Sequence, residues 1–180
     1  MAGKVFKQFR ARDGREVILR EPRWEDLGDL LEFINSLVAE GADICREKIV
    51  TREEEADWLG KRLASIERGE VIHIAAEVDG RVVANSEVAR REGIMNHVGV
   101  LGIAIKNGYR GIGLGSELMK TLVEESRKAG MKVLVLDVFD TNKLAKQLYT
   151  NSGFREAGKI PKGILKKGKY IDLIRMTLEL

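Results

Sequence analysis

Cysteine is all but absent from this chain: Cys45 stands alone among 180 residues. An internal disulfide is therefore excluded, and so is any metal site built on cysteine; no metal is expected. Long apolar runs are missing too. Nothing approaches the roughly 20 residues that cross a bilayer, and Met1-Ala2-Gly3-Lys4-Val5-Phe6-Lys7 lacks the apolar segment of a secretion signal. The expected location is the cytoplasm, with no membrane partner. Nor does one sign of charge dominate. The net charge is +3 and the isoelectric point near 9.0, carried by many charges of both signs. That balance suits a site for a polyanionic small molecule and offers no nucleic-acid face. Glutamine occurs only as Gln8 and Gln147 beside plentiful lysine, arginine and glutamate. Such a bias suits a thermophilic source, and the labile Asn107-Gly108 pair speaks against one.

What remains is 44% hydrophobic and 33% charged, the composition of a folded globular protein long enough to bury its own core. One domain over residues 1–180 is expected. Val17-Ile18-Leu19-Arg20 reads as a strand halted by Pro22. Leu27, Leu30, Leu31, Ile34, Leu37 and Val38 recur at helical spacing up to Gly41. Thr51-Arg52-Glu53-Glu54 is a capping box that opens a second helix, with Trp58, Leu59, Leu63 and Ile66 on its buried stripe. Residues 71–78 and 81–89 predict strands joined by a tight Asp79-Gly80 turn, and 97–106 predicts another. A helix at about 113–129, a strand at 131–138 and a short helix capped by Thr141 follow. Strands at 154–159 and 169–178, joined by a basic loop, close the pattern. Trp24 and Trp58 read as packing residues.

The most informative stretch is Tyr109-Arg110-Gly111-Ile112-Gly113-Leu114-Gly115-Ser116, between an apolar strand and an amphipathic helix. Free amides and the positive dipole end of a helix N-terminus hold phosphate at such a place. Glycines let the backbone approach it, and Arg110 adds a cation. A Rossmann fingerprint would need glycine where Ser116 stands, and a P-loop would need Gly-Lys-Ser/Thr, which the chain lacks. What remains is Arg110-x-x-Gly113-x-Gly115. It resembles the pyrophosphate-binding motif of the GNAT superfamily, the acyl-CoA-dependent N-acyltransferases. The strand at 132–138, then Asn142, Ala145, Leu148-Tyr149 and Gly153-Phe154, is similar to that family's next segment. The order of elements from Val17 onward agrees as well, so the resemblance covers nearly the whole chain.

The resemblance implies an α/β (α+β) fold: a mixed, mostly antiparallel sheet splayed between its fourth and fifth strands and flanked by four helices. It implies acetyl-CoA as co-substrate and acetyl transfer to a primary amine. Transfer would be direct, in a ternary complex, because Cys45 lies outside the matched motifs. By the same resemblance, Ile103, Ala104 and Ile105 of the fourth strand bind the pantetheine arm and polarise the acetyl carbonyl. Arg110, Gly111, Ile112, Gly113, Leu114, Gly115 and Ser116 would hold the pyrophosphate, with Asn142 and Ala145 also on the cofactor.

Asn142, Ala145 and Tyr149 fall at i, i+3 and i+7, on one helix face. The transfer expels a thiolate, and the resemblance places the general acid at Tyr149, whose phenol is protonated at neutral pH. The competing reading of Tyr149 is a packed core aromatic. The attacking amine must lose a proton, and Glu87 on the third strand or His97 at the start of the fourth could take it, directly or through water. His73 reads as a hydrogen-bonded core residue. Glu40 and Asp43 could attract a cationic amine, and Lys159, Lys162, Lys166, Lys167 and Lys169 mark a basic hairpin tip; solvation is the simpler reading of both.

Spacing around Trp58 resembles small-amine and amino-acid acetyltransferases of the phosphinothricin type. Three readings compete with it: an acetyltransferase of a protein N-terminal α-amine, as in the ribosomal-protein type; a non-catalytic acyl-CoA-binding module; and a protein holding some other diphosphate. The closing strands offer an edge for a homodimer.

Overall fold

In the computed structural model, which describes residues 3–180, alternation and helical spacing resolve into eight strands and four α-helices. In chain order they are β1 (Val5–Arg10), β2 (Glu16–Arg20), α1 (Leu27–Glu40), α2 (Arg52–Glu67), β3 (Val71–Val78) and β4 (Arg81–Arg90). Then come β5 (Val98–Ile105), α3 (Leu114–Lys128), β6 (Val133–Phe139), α4 (Lys143–Asn151), β7 (Arg155–Lys166) and β8 (Lys169–Glu179). The strands form one sheet in the order β1-β2-β3-β4-β5-β6-β8-β7. Neighbours are antiparallel except β5 and β6. This is the expected mixed sheet with four helices, and β1 shifts the fourth and fifth strands of the sequence reading to β5 and β6.

Helix α3 covers one face, where Leu114, Leu118, Met119 and Leu122 pack with Ile74, Val88, Leu101 and Leu134. Helices α1 and α2 cover the other, where Leu27, Leu30 and Leu59 meet Ala75 and Val82. Each fully buried leucine contributes about 1.5–3 kcal/mol relative to an exposed one. Arg20, itself buried, pins the start of α1: it holds Asp26 bidentately at 2.7 and 2.8 Å and Glu77 at 2.6 Å. The capping box at Thr51 forms as expected, with Glu54 N–H donating to Thr51 Oγ1 at 3.2 Å and Thr51 N–H to Glu54 Oε2 at 2.9 Å.

The sheet closes and opens at β5. Only Val98, Gly99 and Val100 pair with β6, through Val133, Leu134 and Val135. A Cβ on Gly99 would lie 2.4 Å from Val88 Cγ1 and 2.7 Å from Met131 Sδ, so glycine alone allows the strands to meet there. Beyond Val100, β5 stays with β4 as far as Ile105 while β6 stays with β8 as far as Phe139. The two strands part, and a gap opens between them.

Three local expectations are corrected. The basic loop is strand: β7 runs to Lys166, and only Lys167-Gly168, at φ 48° and 75°, make the turn. Positive φ at both central residues is the hairpin geometry whose twist matches paired strands. The cap of α4 is Asn142, whose side chain accepts the Ala145 N–H at 3.1 Å, and not Thr141. Trp24 is 51% exposed, whereas Trp58 packs as expected.

Candidate active site

The gap between β5 and β6 leads into a cleft of about 720 Å³. Ile103, Ala104 and Ile105 of β5 form one wall, and Asn142, Ala145 and Tyr149 form another. Past Val100 the edge of β5 that faces β6 has no ladder partner, so its backbone groups are available to an extended arm bearing amides. The third wall is the turn into α3, with Arg110, Gly111, Gly113, Gly115 and Ser116 on the cleft.

That turn presents backbone groups to the cleft. Gly113 caps α3 at φ 93° without a side-chain bond, which leaves the first-turn amides of Leu114, Gly115 and Ser116 unbonded. Gly111 also has positive φ, 77°. Gly115 has a different task. A Cβ there would lie 3.1 Å from Leu148 and 3.3 Å from Ile105, so this glycine lets α3 nestle between β5 and α4. Ile112 and Leu114 do not line the cleft: both side chains belong to the core.

Arg110 spans the cleft mouth. Its Nε donates to the Ile105 carbonyl at 2.7 Å, and Nη2 pairs with Glu40 at the end of α1. Glu40 and Asp43 are thus engaged, since Lys166 bonds Asp43 and the carbonyls of Gly41 and Ala42, each at 2.8 Å. The hairpin tip therefore fixes the wall formed by Glu40–Ile44. Arg12, from the turn between β1 and β2, is a second cation on the cleft that the sequence reading missed. Its N–H donates to the Ile112 carbonyl at 3.0 Å, its guanidinium lies beside Gly113, and among the described residues no carboxylate pairs with it. No local motif marks it, because 98 residues separate it from Arg110.

Tyr149 is 6% exposed, with its ring tilted on Phe154 at 6.1 Å. Among the described residues nothing hydrogen-bonds its hydroxyl, and burial pushes the phenol up to about 12. His97 is exposed at the far end of β5, six residues or roughly 20 Å from Ile103, and is no candidate base.

Glu87 lies off the cleft wall, on β4 opposite Gly102 of β5. Gly102 is exposed and has nothing within 4 Å of its Cβ position, while Ala104, two residues on and on the same face, lines the cleft. On this face the strand position beside Glu87, at Gly102, is bare. Burial pushes its carboxyl up, and Arg62, donating to Oε1 at 2.9 Å, pulls it down. His73 is buried as expected, with Nε2 in a short contact with Asn85 Oδ1. Burial holds it at about 4. Among the described residues no cluster of histidine, cysteine or carboxylate could hold a metal ion, and no helix is long and apolar enough to cross a membrane.

The profile of the acetyltransferase (GNAT) family matches residues 36–154. An L-methionine sulfoximine/L-methionine sulfone acetyltransferase of Pseudomonas aeruginosa is 26% identical over 164 residues, 90% of this chain and 94% of that one. A ribosomal-protein-alanine N-acetyltransferase of Brucella melitensis superposes with a TM-score of 0.80 at 27% identity, over 90% of this chain and 99% of that one. A ribosomal-protein α-N-acetyltransferase solved with coenzyme A reaches 0.84 over 98% of each chain, at 13% identity, a likeness of fold alone.

Proposed function

This chain belongs to the acetyltransferase (GNAT) family, and from that premise we propose that it moves acetyl from acetyl-CoA to the amine of a small, amino-acid-like acceptor. One observation carries the reading: past the last β5–β6 pair, a single cleft is lined both by Gly113, Gly115 and Ser116 at the start of α3 and by Tyr149. The residues suit the co-substrate. The α3 amides with Arg110 and Arg12 suit a pyrophosphate, and the unpaired β5 edge at Ile103, Ala104 and Ile105 suits the pantetheine amides. Asn142 spends its oxygen on capping α4, which leaves its NH₂ for the arm. When bound, acetyl-CoA supplies an activated thioester.

The chain's own groups would do the rest. Glu87 takes a proton from the acceptor ammonium, directly or through water over Gly102. Backbone N–H groups of β5 steady the developing oxyanion. Tyr149 hands its proton to the departing sulfur. With Cys45 exposed and off the cleft, transfer is direct within one ternary complex. The whole chain, 1–180, acts as one catalytic domain. A small acceptor is favoured because the cleft must also hold the pantetheine arm, and Glu40–Ile44, tied down by Lys166, already walls it. The likeness to the Brucella enzyme supports a second reading, a protein N-terminal α-amine.

Titration calorimetry with acetyl-CoA, ATP and NAD tests the premise, and thiol release across amino acids, small amines and peptides sorts the acceptors. Binding of acetyl-CoA alone, with turnover on amino acids, is expected. Preference for a nucleotide would sink the reading, and turnover on peptides only would select the second one.

A further inference from the structure

Beneath α2, on the face of the sheet away from α3, lies a polar cluster that the reaction as described uses only in part. His73 and Glu87 stand directly opposite each other on β3 and β4. Trp58 meets the imidazole edge-on at 5.6 Å, and Arg62 reaches the carboxylate from the same helix. Among the described residues, four buried side-chain polar atoms lack a partner, and three of them fall here: Arg62 Nε, His73 Nδ1 and Glu87 Oε2. Interiors rarely leave such atoms unpaired, so three in one cluster call for an explanation.

We propose that His73 is a positioning residue for Glu87, its Nδ1 receiving in a hydrogen bond the proton that the Glu87 carboxyl takes from the acceptor amine. The inference rests on reading Glu87 as the base. Its Nε2 faces Asn85 Oδ1, an acceptor, so the ring proton sits on Nε2 and Nδ1 is a bare lone pair. Nδ1 stands 3.8 Å from Glu87 Oε2. That is too long for a hydrogen bond. One proton on Oε2 turns this opposition into an O–H···N bond of under about 3 Å.

The groups facing the carboxyl are few. Arg62 from α2 favours the charged form, His73 from β3 favours the protonated form, and β5 presents only Gly102. Burial favours the neutral state of both partners, pushing Glu87 up and holding His73 at about 4. When the pair takes up one proton, it therefore goes to the carboxyl and the imidazole stays neutral. In the step itself one proton leaves the ammonium nitrogen and arrives on Glu87. The amine becomes neutral as the carboxylate does, and the proton later passes to solvent. By stabilising the protonated form, His73 raises the proton affinity of Glu87 toward that of the amine it must serve.

The test is the pH profile of kcat/KM for the acceptor at saturating acetyl-CoA, in wild type, Glu87→Gln, His73→Phe and His73→Asn. His73→Phe should move the acid limb down by about one pH unit and lower kcat roughly three- to tenfold, with KM for acetyl-CoA unchanged. His73→Asn, which keeps an acceptor near the Nδ1 position, should return the limb toward wild type. Histidine occurs only at 73 and 97, so ¹⁵N-imidazole spectra of the wild-type protein give a second readout. The His73 Nδ1 resonance should move across the same pH range as the acid limb while the ring stays neutral. An acid limb that survives Glu87→Gln would remove Glu87 as base, and with it the reading underneath. A limb lost in Glu87→Gln but unmoved in folded His73→Phe, or moved equally in both His73 variants, would overturn the role of His73. Should His73→Phe fail to fold, a stationary Nδ1 resonance in wild type would overturn it alone.

Discussion

A phenol that titrates near 12 keeps its proton at any pH where an enzyme is assayed, so Tyr149 is always loaded as a donor. Tyr149→Phe should lower kcat by roughly 10²-fold or more, while the Kd for acetyl-CoA changes by less than about twofold. Equal turnover in steady-state assays would return Tyr149 to the core as a packed aromatic. The same shift moves any alkaline limb due to this group up to about pH 12. Arg12 carries a second residue-scale prediction. With Arg110 already joined to Glu40, Arg12 is the cation near the turn that, among the described residues, has no carboxylate to displace. Arg12→Ala should weaken acetyl-CoA binding about tenfold by calorimetry, and less at high salt. The places of Arg110 and Tyr149 on the cleft were legible because a motif marks each, whereas that Glu87 lies off its wall was not. Arg12 was not, since a hairpin turn nearly 100 residues away brings it to the site. The role of Asn142 was half legible: its place on the face could be read, its capping bond could not.

At the scale of elements, the start of α3 separates two glycines that a motif treats alike. Gly113 sits at φ 93°, which a side chain adopts only under strain, whereas Gly115 is helical and merely crowded. Gly113→Ala should destabilise by about 1–3 kcal/mol. Gly115→Ala gains up to about 1 kcal/mol of helix propensity against contacts with two flexible side-chain ends, and should leave the melting temperature nearly unchanged. Thermal unfolding of the two variants checks this, and equal losses would mean the turn is held by packing alone. Elements with an unbroken period were readable, such as α1 and the paired β3 and β4. β1 was not, because its pairing with β2 slips between Val5 and Lys7 and sets Phe6 and Phe9, three apart, both against the core. The first half of β7 was read as a strand; its continuation to Lys166 hid behind Pro161, which an edge strand tolerates, and behind a slip in pairing between Ile160 and Ile164.

For the whole molecule, the buried imidazole sets a pH dependence of stability. His73 titrates near 6.5 when unfolded and near 4 when folded, so below pH 6.5 the unfolded chain binds the extra proton. Stability present above 6.5 is lost as pH falls toward 4, by on the order of 3 kcal/mol. Glu87, raised in the folded state, opposes this by favouring the fold at low pH. Urea unfolding between pH 4 and 7 should show the loss in wild type and a flatter curve in His73→Phe; identical slopes would mean that other groups govern acid sensitivity. The sheet order has a consequence during synthesis. β8 lies between β6 and β7, although β7 is made first. Until Lys169–Glu179 has left the ribosome, β7 has nothing to pair with and β6 offers a bare edge, so a nascent chain holds an unfinished sheet and an acyl-transfer cleft still missing the Lys166 tie. β8 is the strand that joins β7 to the rest of the sheet, and a chaperone that shields the β6 edge would be most needed just before it appears.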